Sequence, residues 1–250
     1  MNRELFLKRI SLDKELPSDS YLSLLPVVKN LKKRKGLTFD SPVTFFVGEN
    51  GVGKSTLIEA IAVSMGFNPE GGSKSFSFST CDSHSGLYQY ITAGKSMRRR
   101  QDGFFLRAES FYNVASYIDE LDRQPAASPP IISAYGGISL HEQSHGESFL
   151  ALLQNRLGGN GIYILDEPEA ALSPRSIMRL IVIINDLVKK NSQFIISTHS
   201  PMLMALPGAS IYQITEENIE LVSYMETDHY NITKHFLNDT ERMLELLLGE

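Results

Sequence analysis

The run Gly48-Glu49-Asn50-Gly51-Val52-Gly53-Lys54-Ser55-Thr56 sets glycines, a lysine and hydroxyls at the spacing of a phosphate-binding loop. Glycines at 48, 51 and 53 permit dihedrals and a close backbone approach that a Cβ obstructs. Backbone N–H groups of such a loop, with the helix N-terminus that follows it, converge on phosphate oxygens. Lys54 is then placed to bridge the β- and γ-phosphates, and the Ser55 hydroxyl to ligate Mg²⁺. A site for a nucleoside triphosphate is the expectation. Further along, Ile162-Tyr163-Ile164-Leu165 ends in two carboxylates, Asp166 and Glu167. At the carboxyl end of a buried parallel strand these emerge beside the phosphate loop. Asp166 there holds Mg²⁺ through water, and Glu167 orients and deprotonates the attacking water. Taken alone, the pair also reads as an acidic strand end opening a loop.

These side chains need strands that end together. Pro42 to Val47 is apolar and β-branched, bounded by Pro and Gly, and predicts a buried strand before the loop. Leu57, Ile58, Ile61, Ala62 and Met65 recur at helical spacing after it, with Gly66 where a C-cap stands. Arg3 to Ser11 and Leu37 to Val47 read as strands around a polar, Lys-rich connection. Asn68 to Gly86 reads as a Gly- and Ser-rich loop. Leu87 to Ile91 and Gly103 to Ala108 read as strands paired across a basic tip, Lys95 to Arg100. Phe111 to Leu121 carries a helical stripe, and Gln124 to Pro130 is a connection. Helices follow at Glu147 to Leu157 and from the Ser173-Pro174 cap to Lys190. Gly161 to Leu165 and Gln193 to Ser197 are buried strands. Ala209 to Thr215 and Ile219 to Tyr224 form a hairpin, and a short helix spans Thr240 to Leu248. Alternation of this kind argues an α/β fold with a largely parallel central sheet, an antiparallel β portion and a small helical lid.

Asp166-Glu167-Pro168-Glu169-Ala170-Ala171-Leu172-Ser173 resembles the Walker B and D-loop of ABC-type ATPases. Thr198-His199-Ser200, after the strand from Gln193, resembles their switch histidine. Gln143-Ser144-His145-Gly146-Glu147-Ser148 resembles a loose ABC signature, LSGGQ, keeping Ser144 and Gly146 but not the other positions. In motif order the resemblance spans residues 1–250. It is closest to small stand-alone ABC-type ATPases, kin to the structural-maintenance-of-chromosomes, RecF and overcoming-lysogenization-defect ATPases, a group often given the AAA label. It implies a P-loop NTPase, one ABC-type head over residues 1–250 with a lid and signature subdomain at about 67–147. The implied roles are His199 on the γ-phosphate and Ser144 and Gly146 on the ATP of an opposing subunit. Glu109, at the place of the Q-loop, is a candidate metal contact, with Ser110 and Gln89 as alternatives. Tyr21 either stacks on adenine or packs. The implied activity is Mg²⁺-dependent ATP hydrolysis in an ATP-dependent homodimer that drives an unidentified protein partner in DNA maintenance or phage defence. Two alternatives stand beside it: a nucleotide-gated module or toxin partner with little turnover, and the ATP-binding subunit of a membrane transporter.

Composition bounds the rest. In 250 residues with 42% hydrophobic content, one large domain can bury a core. The balance of 24 basic against 29 acidic residues gives −5, so no global positive field recruits nucleic acid or membrane. Two local basic clusters, Lys29-Lys32-Lys33-Arg34-Lys35 and Arg98-Arg99-Arg100, are candidates for a nucleic-acid surface or are solvated faces. Cys81 alone builds no disulfide framework and suits a reducing compartment. A charged amino-terminal run and the lack of a long apolar stretch predict a cytoplasmic chain without membrane insertion. His84, His141, His145, His229 and His235 lack metal-ligand spacing and read as surface or packing residues.

Overall fold

The computed structural model describes residues 4–17, 19–72, 85–108, 111–123, 130–139, 141 and 145–249. Glu109, Ser110, Gln143, Ser144, Cys81 and His84 lie outside the described residues. The strands are β1 (Leu7–Leu12), β2 (Leu37–Thr38), β3 (Val43–Val47), β4 (Ile91–Lys95), β5 (Asp102–Arg107), β6 (Gly161–Asp166), β7 (Gln193–Ser197), β8 (Ser210–Ile214) and β9 (Ile219–Val222). The helices are α1 (Pro26–Arg34), α2 (Lys54–Ser64), α3 (Phe111–Arg123), α4 (His145–Arg156), α5 (Pro174–Lys189), α6 (Pro201–Met204), α7 (Asp228–Asn238) and α8 (Thr240–Leu248).

Two sheets result. A small antiparallel sheet has the order β2-β1-β4, and the main sheet has the order β5-β6-β7-β3-β8-β9. The main sheet is parallel from β5 through β8, and β9 returns antiparallel beside β8. Every residue of β3, β6 and β7 is buried, as strands covered on both faces require. Alternation decides which face each side chain serves. Phe46 belongs to the same core as Ile10, Leu31, Ile58 and Ile61, whereas Phe45 and Val47 belong to a second core with Phe149, Leu153 and Ile184. Between the two sheets α2 is buried from Leu57 to Ala62, so it lacks a polar stripe. On the opposite face α5 buries Ile177, Leu180, Ile184 and Leu187, and Ser173 caps it by accepting from the Ser176 N–H.

One side chain ties the sheets together. Gln193 Oε1 accepts from the N–H groups of Phe6 and Leu7, both at 2.9 Å, and its Nε2 donates to the Leu7 carbonyl at 2.8 Å. The amide thus makes, with β1, the bonds that a neighbouring strand would make.

Several expected elements differ. The span Leu37 to Val47 divides into β2 and β3 in different sheets, and the first strand runs from Leu7 to Leu12. The Lys-rich connection contains α1, whose Val27, Val28 and Leu31 are buried while the lysines face outward. Leu87 lies in a 3-10 turn, Gly86–Gln89, and the two neighbouring segments do not pair. Instead β4 pairs with β1, and β5 runs parallel to β6. The basic segment between them is therefore a link between sheets, not a hairpin tip. Arg98 there donates to the Glu4 and Asn191 carbonyls and to Asn160 Oδ1, and lies over the Phe6 ring. Arg100 donates to the Met65 carbonyl and lies over Phe67. Arg99 remains exposed. Replacing Arg98 with Ala is expected to lower unfolding free energy by about 1–3 kcal/mol in urea titration, with Arg99→Ala near neutral. Equal effects would overturn this division of labour.

Candidate functional site

β3, β6 and β7 all run the same way, and their carboxyl ends meet at one edge of the main sheet. From β3 the chain enters the Gly48–Gly53 loop and then α2. Two of its glycines are required by what surrounds them. A Cβ on Gly48, at φ +147°, would stand 2.2 Å from the Ile214 carbonyl oxygen, and one on Gly53, at φ +95°, would stand 2.6 Å from Val27. Neighbouring β8 and α1 therefore hold the loop closed from two sides. The Val27 N–H adds a bond to the Val52 carbonyl at 3.0 Å. Lys54 opens α2 and is 4% exposed. Its Nζ donates to the carbonyls of Gly48 at 2.9 Å and Glu49 at 3.0 Å. Burial lowers its pKa, opposed by Glu167, Asp166, Glu49 and Glu169.

From β6 come the carboxylates. Asp166 is buried, accepts from Ser197 Oγ at the end of β7, and is hydrogen-bonded with Ser55. Burial raises its pKa, and the Ser197 bond, the Arg107 charge and the Ser55 bond act against that rise. Glu167 turns the chain in the left-handed region, φ 48° and ψ 53°, directly before Pro168. Non-glycine residues rarely adopt that conformation, and a following proline also disfavours helical ψ. Strain of this kind is held by its surroundings: the Glu167 N–H donates to the Ser197 carbonyl and Oγ. His199 follows β7, with Nε2 3.5 Å from Glu167 Oε1. Its backbone N–H donates to Glu169 Oε1. Burial lowers the His199 pKa and Lys54 lowers it further, opposed by Glu49.

The structure thus brings Lys54, Ser55, Asp166, Glu167 and His199 together. Asp166 and Ser55 offer hard oxygen donors, the kind Mg²⁺ takes in small number when phosphates and water complete its shell. Gly146 sits in the first turn of α4, where an added Cβ would lie 3.1 Å from the Ala171 carbonyl oxygen. The segment after Glu167 is therefore packed on the start of that helix. Gln89 is exposed and bonds Tyr88 Oη, not a group of this site. Tyr21 is 58% exposed, so it does not serve as a packing aromatic.

Three residues escaped the sequence reading. Arg107 ends β5, donates to Glu59 Oε2 at 2.8 Å and has Nε 3.5 Å from Asp166 Oδ2. Glu59 in turn accepts from the Ser85 N–H. The only signal for this chain was a lone arginine after an apolar strand. Losing Arg107 strands two buried carboxylates, so Arg107→Met is expected to cost about 3–5 kcal/mol. The double variant with Glu59→Leu should recover part of that loss. Urea unfolding showing no loss for the single variant would remove the pair from a structural role. Glu169 and His229 are the other two. His229 Nε2 lies 3.0 Å from His199 Nδ1, a contact that the absence of metal-ligand spacing gave no sign of. Beside the loop is a cavity of about 540 Å³ whose walls include Pro26, Glu49, Asn50, Glu216, Asp228 and His229.

Comparison with known proteins agrees with this fold. A family model described as "AAA domain, putative AbiEii toxin, Type IV TA system" matches residues 135–205, and one described as "AAA domain" matches residues 28–118. No curated protein matches the sequence. Among solved structures, "a putative metal-chelate type ABC transporter" in an inward-facing conformation aligns at TM-score 0.52 and 14% identity, covering 93% of this chain and 88% of that one. The cbiO1 protein of Clostridium perfringens, part of the ABC transporter complex cbiONQ, aligns at TM-score 0.51 and 15% identity over 99% of this chain and 100% of that one. The SMC head domain from Thermotoga maritima aligns over 87% of this chain and 98% of that one at 16% identity, with a lower TM-score of 0.43. Among the described residues no helix is long and apolar enough to cross a membrane. By its phosphate loop and its sheet the chain shares the α/β fold of the two ABC transporter proteins, and two segments of its sequence match AAA-domain models.

Proposed function

We propose that the chain is a Mg²⁺-dependent ATPase head, a single domain over residues 1–250, that closes as a homodimer around two ATP molecules and so drives a protein partner. The observation that carries the reading is the meeting of Ser55 with Asp166, beside Glu167 and His199, at the mouth of the Gly48–Gly53 loop. The loop N–H groups and the start of α2 bind the phosphates, aided by the backbone of Glu49, Asn50, Val52 and Thr56. Lys54 exchanges its carbonyl partners for β- and γ-phosphate oxygens. Ser55 and Asp166 would hold Mg²⁺, which supplies neutralisation of the phosphate charge. Glu167 takes the proton of the attacking water, and His199 donates to the γ-phosphate. Glu109 remains a proposed metal contact.

The dimer reading rests on the resemblance of residues 143–148 to an ABC signature. By that resemblance Ser144 and Gly146, the latter in the first turn of α4, would meet the γ-phosphate bound by a second copy. A lid and signature function for about 67–147 fits the presence of α3 and the start of α4 there, although β4 and β5 belong to the two common sheets. Support for a partner comes from α8, which buries none of its residues and exposes Leu246, Leu247 and Leu248. DNA maintenance or phage defence is the setting proposed for that partner. Phosphate release by the purified chain with Mg-ATP is the test. A rate per subunit that rises with protein concentration supports the dimer, and no release at any concentration sinks the reading. A second reading, a toxin component with little turnover, is favoured by the family description matched at residues 135–205. Mg-ATP binding without release would select it.

A further inference from the structure

His229 sits in the first turn of α7, on a segment with no motif of its own. The His199 and His229 rings are 5.1 Å apart at 57°, joined by the 3.0 Å contact between Nδ1 and Nε2. Both ends of this contact are fixed. Thr227, the N-cap of α7, is fully buried and accepts from the Tyr230 N–H, while Glu169 holds the His199 backbone. Two imidazoles bonded nitrogen to nitrogen share one hydrogen, so one ring donates and the other accepts. Burial lowers the pKa of both rings, which favours the neutral form with one N–H each.

The surroundings choose between the two arrangements. His199 Nε2 is buried, has no hydrogen bond among the described residues, and faces Glu167 Oε1 at 3.5 Å. If His199 donated through Nδ1, its Nε2 would present a lone pair to that carboxylate oxygen. Two acceptors would then face each other at 3.5 Å, with Nε2 itself shielded from water. If His229 donates, Nε2 carries the hydrogen and the conflict disappears.

We propose that His229 is a positioning residue, whose Nε2–H donates to His199 Nδ1 and so fixes His199 as the Nε2–H tautomer, a donor aimed at the γ-phosphate and Glu167. This rests on the γ-phosphate role proposed for His199. It also ties α7, and α8 packed on it, to the state of the phosphate site through one hydrogen bond.

The test uses imidazole ¹⁵N–¹H correlation spectra of the full chain together with ATP kinetics, for wild type, His229→Gln and His229→Leu. A glutamine amide reaches where His Nε2 stands and still donates, whereas leucine cannot. Wild type and His229→Gln should show His199 protonated on Nε2 alone, and His229→Leu a mixture of tautomers. The leucine variant should lose about tenfold in kcat/KM for ATP while its ADP affinity is unchanged, and glutamine should restore most of the loss. His199 protonated on Nδ1 in wild type overturns the assignment, whether or not the leucine variant folds. A leucine variant with wild-type tautomer and kinetics overturns it equally. Should wild type release no phosphate, the γ-phosphate reading fails by itself, and the tautomer still decides the role of His229.

Discussion

Glu167→Gln is expected to bind ATP, to hydrolyse it about 10²–10⁴-fold more slowly than wild type, and to accumulate as an ATP-bound dimer. The amide keeps the shape of the carboxylate and tolerates the same left-handed backbone as well as glutamate does. It lacks a basic oxygen for the water proton. Asp166 and Ser55 are untouched, so nucleotide binding should persist. ATP touches both partners only in the closed form, so it stabilises closure by its differential affinity for that state. Size exclusion with light scattering should show twice the 27.9 kDa monomer in Mg-ATP and the monomer in Mg-ADP. A monomer under both conditions, with ATP demonstrably bound, would reject the sandwich and leave a solitary phosphate-loop ATPase.

For Lys54→Ala the expected loss is in binding itself, about 10–100-fold in ATP affinity, since a charged hydrogen-bond partner of the phosphates disappears. The native Lys54 already donates to Gly48 and Glu49, so part of its interaction with ATP replaces bonds it has. That exchange limits the loss to less than a bare Coulomb estimate implies. Isothermal titration on a variant whose unfolding midpoint is unchanged gives the answer. Wild-type affinity in such a protein would exclude Lys54 from the phosphates.

The parts of the fold that were legible are those written in local sequence. β3, the glycine loop and α2 are contiguous, and their hydrophobic spacing and glycines identify them without any distant partner. The cap at Ser173, the hairpin of β8 and β9, and α8 were readable for the same reason. Strand partnership was not. β4 and β5 are close in sequence, yet each found its partner elsewhere, in β1 and β6, because burial and not chain proximity decides which edges meet. α1 was hidden by its lysines, since only Val27, Val28 and Leu31 mark its inner face. At the candidate site, motif residues could be named from their neighbours in the chain. Arg107 and His229 could not, because what defines them is contact with Asp166 and His199, both far along the chain.

The sheet order also sets a timetable for the growing chain. β3 lies between β7 and β8, both made much later than β3 itself. Until residues 193–197 and 210–214 leave the ribosome, Val43-Thr44-Phe45-Phe46-Val47 has neither of its edges covered. The short segment is apolar, uncharged and rich in β-forming residues, the composition that stacks with copies of itself when left exposed. β1 waits equally long for the Gln193 amide. Nucleotide cannot shelter the nascent domain in this interval, because the loop that would hold it hangs from the same unpaired strand. Yield in a cell should therefore depend on translation speed and on chaperones that hold apolar segments, more steeply than the finished protein's stability alone suggests.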